Sequence, residues 1–385
     1  MLNYDIYDRQ RITLHCSIKL KSPLSHIGEV SGNVSNLKTI KLIDLEGQPR
    51  SCFVYSGNAL RNGILRRRGT AAALDSLGLE VNPDVHHTLF AGGRIDGSTG
   101  SDMDLDKKIR QLMPWLSVLG TAKPAGVFGV KDAQMVHGRI NVGSAYLVCY
   151  ESAPYIYEQF PGLLPVESLE GLRVLSDAKQ ALSSDPFSHP SSDAILDYAN
   201  AKANYLPGLK QSLKSWTQYL LVDQTTRRDS THDPELKRFL PGGKPTEGQL
   251  SLLGETKPKK DTEKKSDQMI ASDRLIMSGA TLYSRWDLHT TQVETGWIVD
   301  TLLRFAESPY LGGKGNRGNG LCSMEFWFQR GDERGHFLNI STGQNQLSEP
   351  AQKAHNSYQE YLTAYRGFLE EASASELKGF LGGAG

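Results

Sequence analysis

A glycine-dense segment with two cations carries the strongest chemical signal in this sequence. Residues 311–320 read LGGKGNRGNG and include Lys314 and Arg317. Glycine lets the main chain approach another polymer closely and leaves its N–H donors exposed. Arginine offers phosphate a planar fork, and lysine offers it a point charge. The segment therefore predicts a contact with a phosphate backbone, and an ordinary flexible turn stays open as the alternative.

Two better-known phosphate motifs do not fit this segment. Gly313, Gly315 and Gly318 match GxGxxG, but a dinucleotide-binding fold needs that loop after a strand and before a helix. Here a predicted helix at 291–307 precedes the loop and a predicted strand at 321–329 follows it. The Gly-Lys-Ser/Thr sequence that closes a P-loop is missing as well. These contexts exclude a Rossmann or P-loop interpretation.

His26 and a basic stretch later in the chain are further candidate contacts. His26 follows a break that contains Pro and Gly after the first predicted strand, and Ser25 lies beside it. A histidine here could serve as a general acid or base, contact a phosphate or hydroxyl, or be structural. Residues 225–238 are polar and basic, and residues 241–268 read as a solvated insertion. The basic stretch predicts a nucleic-acid contact, with a plain charged loop as the alternative.

The composition excludes several classes of protein. Lys and Arg together number 43, as do Asp and Glu, so the net charge is zero and only local basic stripes could bind a nucleic acid. No apolar run approaches the roughly 20 residues of a membrane span, and the N-terminus shows no secretory pattern. We therefore expect a cytoplasmic protein without membrane contact. The cysteines lack zinc-site spacing, so we expect buried thiols and no metal or cofactor.

Periodicity along the chain indicates the elements that must position these residues. Apolar and polar residues alternate strictly over 11–20, which predicts a half-buried strand. The spacing of apolar residues predicts helices at about 58–76, 291–307 and 350–371. Further extended segments are predicted at 37–43, 52–55, 270–285 and 321–329. This order predicts an α+β fold with a ferredoxin-like (RRM-like) βαββαβ palm that carries large inserted finger and thumb segments.

Four segments in a fixed order resemble the RAMP-superfamily backbone subunits of CRISPR effector complexes. Residues 22–29 (SPLSHIGE) are similar to the family's small-residue and HIG loop after its first strand. Residues 54–66 (VYSGNALRNGILR) resemble its IPGSSLKGALR entry into the first helix. Residues 117–120 (SVLG) look like its LFG element, and residues 311–320 resemble its C-terminal glycine-rich loop. The type IV effector backbone protein is the most similar variant of the family.

The resemblance implies a function in antiviral defence. Subunits of this family coat a CRISPR guide RNA (crRNA) and stack head to tail into a helical oligomer, so that exposed bases pair with target DNA or RNA. The implied partners are the guide RNA, the target, further copies of the chain, and other effector subunits that include a guide 5'-end cap subunit and a large or small subunit. The type IV resemblance adds a helicase to these candidate partners and suggests a prokaryotic cytoplasm.

The same resemblance implies a single RAMP domain over residues 1–385. Its parts are a palm at approximately 11–80, 110–150 and 270–330, inserted fingers at approximately 81–109, a helical insertion at 151–221, a thumb and mobile loop at approximately 222–269, and a C-terminal helical tail at 345–385. The residues expected to bind RNA are Ser25, His26, Asn58, Arg61, Arg66, Arg67, Lys123, Arg227, Arg228, His232, Gly313, Lys314, Gly315, Asn316, Arg317 and Gly318.

The resemblance also bears on catalysis. Type III relatives cut target RNA with an aspartate in the loop after the HIG element, and alignment by eye places Lys38 at that position. Lysine cannot act as a carboxylate base or a metal ligand at neutral pH. We therefore expect a binding subunit and not an enzyme. Two alternatives stay open: a metal-independent RAMP-type endoribonuclease that processes CRISPR repeat RNA through His26, and a protein scaffold that does not bind RNA.

Overall fold

The computed structural model of the protein describes residues 5–81, 83–92, 99–100, 103–123, 133–182, 189–227 and 269–371. The strands are β1 (Gln10–Leu20), β2 (Ile27–Ser31), β3 (Val34–Leu37), β4 (Thr39–Ile43), β5 (Pro49–Tyr55), β6 (Thr99–Gly100), β7 (Thr121–Lys123), β8 (Ala133–Val136), β9 (Ile140–Val142), β10 (Ala145–Leu147), β11 (Leu220–Arg227), β12 (Met269–Ile276), β13 (Thr281–Thr290), β14 (Cys322–Arg330), β15 (Glu333–Ser341) and β16 (Gln344–Leu347). The α-helices are α1 (Gly57–Leu60), α2 (Thr70–Leu77), α3 (Pro83–Ala91), α4 (Met103–Leu112), α5 (Pro114–Leu119), α6 (Ala153–Gln159), α7 (Val166–Leu182), α8 (Ser192–Ser212), α9 (Gln292–Glu307) and α10 (Glu349–Glu371).

The main sheet is built around β1. Within the described residues its strands run in the order β16-β15-β14-β1-β13-β10-β5-β4, and β9 also pairs with β13. Every pairing in this sheet is antiparallel. Leu14, Cys16 and Ile18 are buried on one face of β1. The predicted half-buried strand at 11–20 is therefore confirmed, and the protein is an α+β fold.

The helix α9 lies against this sheet as its sequence predicts. Thr291 Oγ1 accepts a hydrogen bond from the N–H of Glu294, whose carboxylate accepts one from the N–H of Thr291. This capping box satisfies two N–H groups that have no partner within the helix. Trp297 lies fully buried and donates to the carbonyl of Gly69 at 3.3 Å. The predicted helices at 291–307 and 350–371 are both confirmed.

The first long helix has the predicted bounds but changes type in its middle. It begins after Ser56, whose Oγ accepts a first-turn N–H, and ends at Gly78 in the left-handed conformation. Between α1 and α2, Arg61–Gly69 form a π-helix. A π-helix bonds residue i to i+5, so it turns the following side chains away from their α-helical positions. Leu65 and Arg66 are buried as a result, which α-helical spacing did not predict.

A second sheet was not predicted from the sequence. Its described strands run in the order β11-β12-β3-β2, and β12 pairs with β3 in parallel. The extended segment predicted at 270–285 divides between the two sheets, because β12 belongs to the second sheet and β13 to the main one. The segment predicted at 37–43 divides in the same way between β3 and β4. Strands β15 and β16 extend the main sheet beyond the predicted βαββαβ plan.

The face of the main sheet opposite the core is covered in part by the helical insertion. The ring of Phe160, next to α6, stacks on His15 at 5.0 Å and lies 6.1 Å from Tyr283. Trp327 of β14 lies 5.0 Å from the same ring. These aromatic side chains therefore contact one another. The sheet face does not present His15 and Tyr283 as an open platform for stacking bases.

All four cysteines are free and buried, as predicted, and the sulfur atoms of Cys52 and Cys149 lie 3.5 Å apart. Among the helices of the described part of the chain, none combines the length and the apolar character needed to cross a bilayer.

Candidate nucleic-acid interface

The segment at 311–320, here called the glycine loop, joins α9 to β14 and has a backbone that requires glycine. Gly312, Gly318 and Gly320 have φ values of +79°, +76° and +91°, in the left-handed region that glycine adopts without strain. A Cβ added at Gly312 would also lie 2.4 Å from the carbonyl oxygen of Ser25. A Cβ added at Gly318 would meet no atom within 4 Å. Gly312 thus permits close packing, whereas Gly318 serves only the turn.

The glycine loop is docked against two other segments that resemble the RAMP family. The N–H of Gly320 donates to the carbonyl of Pro23 at 2.7 Å. The N–H of Gly312 donates to the hydroxyl of Tyr55 at 3.0 Å. The HIG-like segment, the entry to the first helix and the glycine loop therefore form one cluster, although they are far apart in the sequence.

The two cations of the glycine loop share one carboxylate. Lys314 Nζ and Arg317 Nη1 both contact the carboxylate of Asp273 in β12, the arginine at 3.2 Å. Burial raises the pKa of Asp273, but the hydrogen bonds from Lys314 and Ser35 and the two positive charges outweigh burial and hold the pKa below its ordinary value. Asp273 is therefore ionised at neutral pH, and it neutralises part of the charge that the loop would offer to a phosphate.

His26 is held in its neutral form at the centre of the cluster. Its Nε2 accepts a hydrogen bond from the N–H of Ser56 at 3.1 Å, and its ring lies 4.4 Å from that of Tyr55. Burial, with a smaller contribution from the charge of Lys38, lowers the pKa of His26 to about 4. The neighbouring Ser25 is buried. At neutral pH this imidazole acts as a hydrogen-bond acceptor for the main chain.

Arg61 and Arg66 are directed into the protein. Arg66 is 3% exposed and donates to the carbonyls of Leu89 and Gly120 at 3.2 Å and 2.8 Å. Arg61 donates to the carbonyl of Leu119. Both guanidinium groups thus bind carbonyls at the C-terminal end of α5, where cations are favourable. Burial, followed by the charge of Arg61, lowers the pKa of Arg66 to about 10.

These contacts correct the expectation for Arg66. Its side chain is occupied by main-chain carbonyls and has no surface to offer to a polymer, so we leave it out of the interface. The contacts also join a fourth segment to the cluster, because Leu119 and Gly120 belong to the segment that resembles the LFG element. Asn58 and Arg67, by contrast, are exposed.

The remaining predicted residues divide between the exposed loop and parts of the chain whose placement is not described. Gly313, Asn316 and Gly318 are exposed in the glycine loop, and Gly315 lies beside the ring of Tyr310. Two further residues lie in strands, Lys123 in β7 and Arg227 in β11, with side chains outside the described structure. Arg228 and His232 lie outside the described residues, as does most of the stretch predicted to form the thumb.

The cluster brings together several groups that can contact a phosphate. It presents the exposed backbone of the glycine loop at Gly313 and Asn316, the partly neutralised pair Lys314 and Arg317, and the exposed side chain of Asn58. Across the described residues, no group of three His, Cys, Asp or Glu side chains is placed to hold a metal ion. These groups suit a phosphate backbone that passes over the surface.

Comparison with known proteins gives a likeness to solved structures. No protein-family model matches the chain, and no curated protein matches it. A chain of a "Type IV-B CRISPR Complex" is similar at 14% identity and a TM-score of 0.43, over 84% of this chain and 92% of that one. The chain resembles a subunit of a CRISPR complex. The crystal structure of Thermofilum pendens Csc2 is also similar, at 12% identity and a TM-score of 0.34, over 99% of this chain and 82% of that one.

Two residues of this cluster were missed by sequence reasoning. Tyr55 links the first helix to the glycine loop through its hydroxyl, and Asp273 binds the loop's cations. Tyr55 lies inside a segment that was already singled out, so its position gave a usable signal. Asp273 lies in a strand of the second sheet, and no local pattern connects it to residues 314 and 317. Only the three-dimensional pairing reveals it.

Proposed function

We propose that this chain is a guide-RNA-binding backbone subunit of a CRISPR effector complex, a RAMP-superfamily member without nuclease activity of its own. The observation that carries the proposal is the meeting of four segments, 22–29, 54–66, 117–120 and 311–320, in one cluster. Each resembles a motif of that family. Accidental matches to short motifs would have no physical reason to gather at one site.

The strand order supports a ferredoxin-like palm as part of this proposal. Strands β14, β1, β13 and β10 lie side by side in that order. The helix over 57–77 falls between β1 and β10 in the sequence, and α9 falls between β13 and β14. Numbered along the chain, this is a βαββαβ unit whose fourth strand lies beside the first and whose third lies on the other side. On this plan, the fingers would comprise approximately 81–109 and the thumb approximately 222–269, most of which lies outside the described residues.

Two features support binding without cleavage. Lys38 stands where type III relatives of the family carry an aspartate, and its N–H is bonded to the carbonyl of His26 at 2.8 Å. His26, whose pKa is lowered to about 4, is a neutral imidazole at neutral pH and so is not the imidazolium that a general acid requires. Its Nε2 is also engaged by the N–H of Ser56. The imidazole that such an endoribonuclease would use is thus engaged with the main chain of the cluster.

The proposal assigns the chain a set of partners. The guide RNA would pass over the glycine loop, and target DNA or RNA would be recognised by pairing with guide bases and not by the protein. Further copies of the chain, a 5'-end cap subunit, a large or small subunit and a helicase would complete the complex.

Purification of the full chain tests the proposal. We expect it to carry, or to bind when added, single-stranded RNA that ribonuclease removes and deoxyribonuclease does not, with an affinity that falls linearly with salt on logarithmic axes. CRISPR repeat RNA should stay intact during long incubation in EDTA. A chain that binds no RNA would contradict the proposal. Cleavage in EDTA that is lost on His26→Ala would replace it with the endoribonuclease alternative.

A further inference from the structure

A second basic surface lies at the opposite end of β1 from the glycine loop. A cleft of about 550 Å³ opens there, lined by five arginines and one carboxylate. We call it the arginine cleft and define it by Arg9, Arg11, Arg139, Arg285 and His289. The glycine loop is bonded to Pro23, just past the other end of β1. At about 3.3 Å per residue, the 11 residues of β1 separate the two surfaces by roughly 35 Å.

The cleft is assembled by strand pairing and not by any local motif. Arg11 is paired in register with His289, and His15 with Arg285, across β1 and β13. Residues on this face alternate with the buried core residues, so they point to the same side of the sheet. The carbonyl of Arg139 accepts the N–H of His289 at 2.9 Å, which places the third arginine at the same edge.

The arginines of the cleft differ in how far their charges are neutralised. Arg139 forms a buried ion pair with Glu294 at 2.7 Å, and Arg285 pairs with Asp287 at 2.9 Å. Arg9 and Arg11 are exposed, and neither has a carboxylate partner within the described residues. These two side chains therefore leave positive charge facing solvent at the mouth of the cleft.

The titration of His289 agrees with this arrangement. Its pKa is lowered by burial first and then by the charges of Arg9, Arg11 and Arg139. After burial, the three arginines contribute a positive potential at His289, which the charge of Glu294 opposes. A phosphodiester backbone is the common biological ligand for such a potential on an open surface.

The arginine cleft is continuous with the cluster described above. A neighbouring depression of about 430 Å³ shares Arg285 and Asn141 with the cleft. It also contains Asn58 and Arg61, in the segment that is docked to the glycine loop through Tyr55. A bound RNA strand that leaves the glycine loop can therefore follow the surface past Asn58 into the cleft.

We propose that the arginine cleft binds backbone phosphates of the RNA strand that also contacts the glycine loop, with Arg9 and Arg11 as its main ligands. The inference rests on the proposed function, and it adds a second contact region that no local pattern indicated. Each arginine would bind a phosphate oxygen and release a condensed counterion, which makes the contact strongly dependent on salt.

Binding of an unstructured single-stranded RNA to the full chain, measured across a salt titration, tests the inference. The variant Arg9→Ala with Arg11→Ala should bind about tenfold more weakly at low salt, and its slope of log affinity against log salt should fall by about 1.4, at ~0.7 per phosphate contact. Arg11→Lys keeps the charge and should lose much less affinity. Arg173→Ala with Lys353→Ala removes two exposed cations from other elements and should bind within twofold of wild type.

The outcomes separate the two proposals. Wild-type protein that binds RNA, with a double variant of equal affinity and slope, would overturn the cleft and leave the proposed function standing. Wild-type protein that binds no RNA would overturn the proposed function. A double variant that keeps RNA but fails to assemble with partner subunits would show that the cleft is a protein contact. Both side chains are exposed, so the variant should melt like wild type, and the melting curve verifies this.

Discussion

The glycine loop and the arginine cleft both carry cations, yet they differ in what those cations contact. In the loop, Lys314 and Arg317 share the carboxylate of Asp273. In the cleft, Arg9 and Arg11 face solvent without a carboxylate partner among the described residues. The loop therefore offers an exposed glycine-rich backbone that a polymer can approach closely, whereas the cleft offers free charge.

This difference separates two properties that a sequence pattern tends to merge. Glycines beside cations predict a backbone that a polymer can approach closely. The glycine loop has such a backbone in the structure. Whether the cations are available depends on acids elsewhere in the chain, and Asp273 lies about 40 residues from the loop in the sequence. A net charge of zero makes such pairing common, so free arginines are the more informative feature.

The largest effect, a loss of stability, is expected when the buried ion pair of Arg139 in the cleft is broken. Glu294→Gln removes the carboxylate that pairs with Arg139, whose side chain is 7% exposed, and leaves that charge buried and unpaired. Breaking such a pair destabilises a protein by roughly 3–5 kcal/mol. Asp287→Asn breaks the half-exposed pair with Arg285 and should cost less than about 1 kcal/mol. Denaturant unfolding measures the loss of stability in both variants. Equal losses would show that the ion pair of Arg139 with Glu294 stabilises the fold no more than the half-exposed pair does.

A smaller effect, a gain in RNA affinity, is expected in the glycine loop. Asp273→Asn removes the carboxylate shared by Lys314 and Arg317, so both cations become available to a phosphate. We expect RNA affinity at low salt to rise about threefold, and the salt slope to steepen by about 0.7 for one added phosphate contact. Binding measurements across a salt titration test this. Unchanged affinity in a variant that remains folded would mean that the loop cations do not meet RNA.

A third effect concerns the dependence of stability on pH. His26 is neutral in the folded protein because burial lowers its pKa to about 4, whereas an unfolded histidine titrates near about 6.5. Its contribution to stability is therefore complete above pH 6.5 and is lost as the pH falls from there towards 4. Unfolding followed between pH 8 and 5 should show a decline that is shallower in His26→Gln. Equal declines in both proteins would contradict a neutral His26.

Several strands and helices of the fold could be predicted because the sequence patterns that indicate them are local. Strict alternation of apolar and polar residues predicted β1, and the spacing of apolar residues predicted α9, so each was found from residues close together in the sequence. The π-helix at Arg61–Gly69 could not, because its wider turn changes which side chains face inwards. That change explains why Arg66, predicted at the surface, is buried. Strands β15 and β16 and the second sheet depend on pairing between distant segments.

The segments that form the candidate site could be predicted from the sequence, whereas the arrangement of its charged side chains could not. The three segments around His26, Tyr55 and Gly312 were each visible as short motifs, and the structure brings them together. The arginine cleft was invisible because its residues come from separate parts of the chain. Register pairing across β1 and β13 supplies the missing information, since it places Arg11 opposite His289.

Photo-cross-linking of bound single-stranded RNA, with the attached peptides identified by mass spectrometry, tests the central claim most directly. One strand that follows the surface should cross-link to peptides of the glycine loop, residues 311–320, and of the cleft, residues 9–13 and 137–141. Both sets should disappear together when salt releases the RNA. Cross-links confined to α7, α8 or α10 would contradict the claim that this face of the molecule carries the RNA.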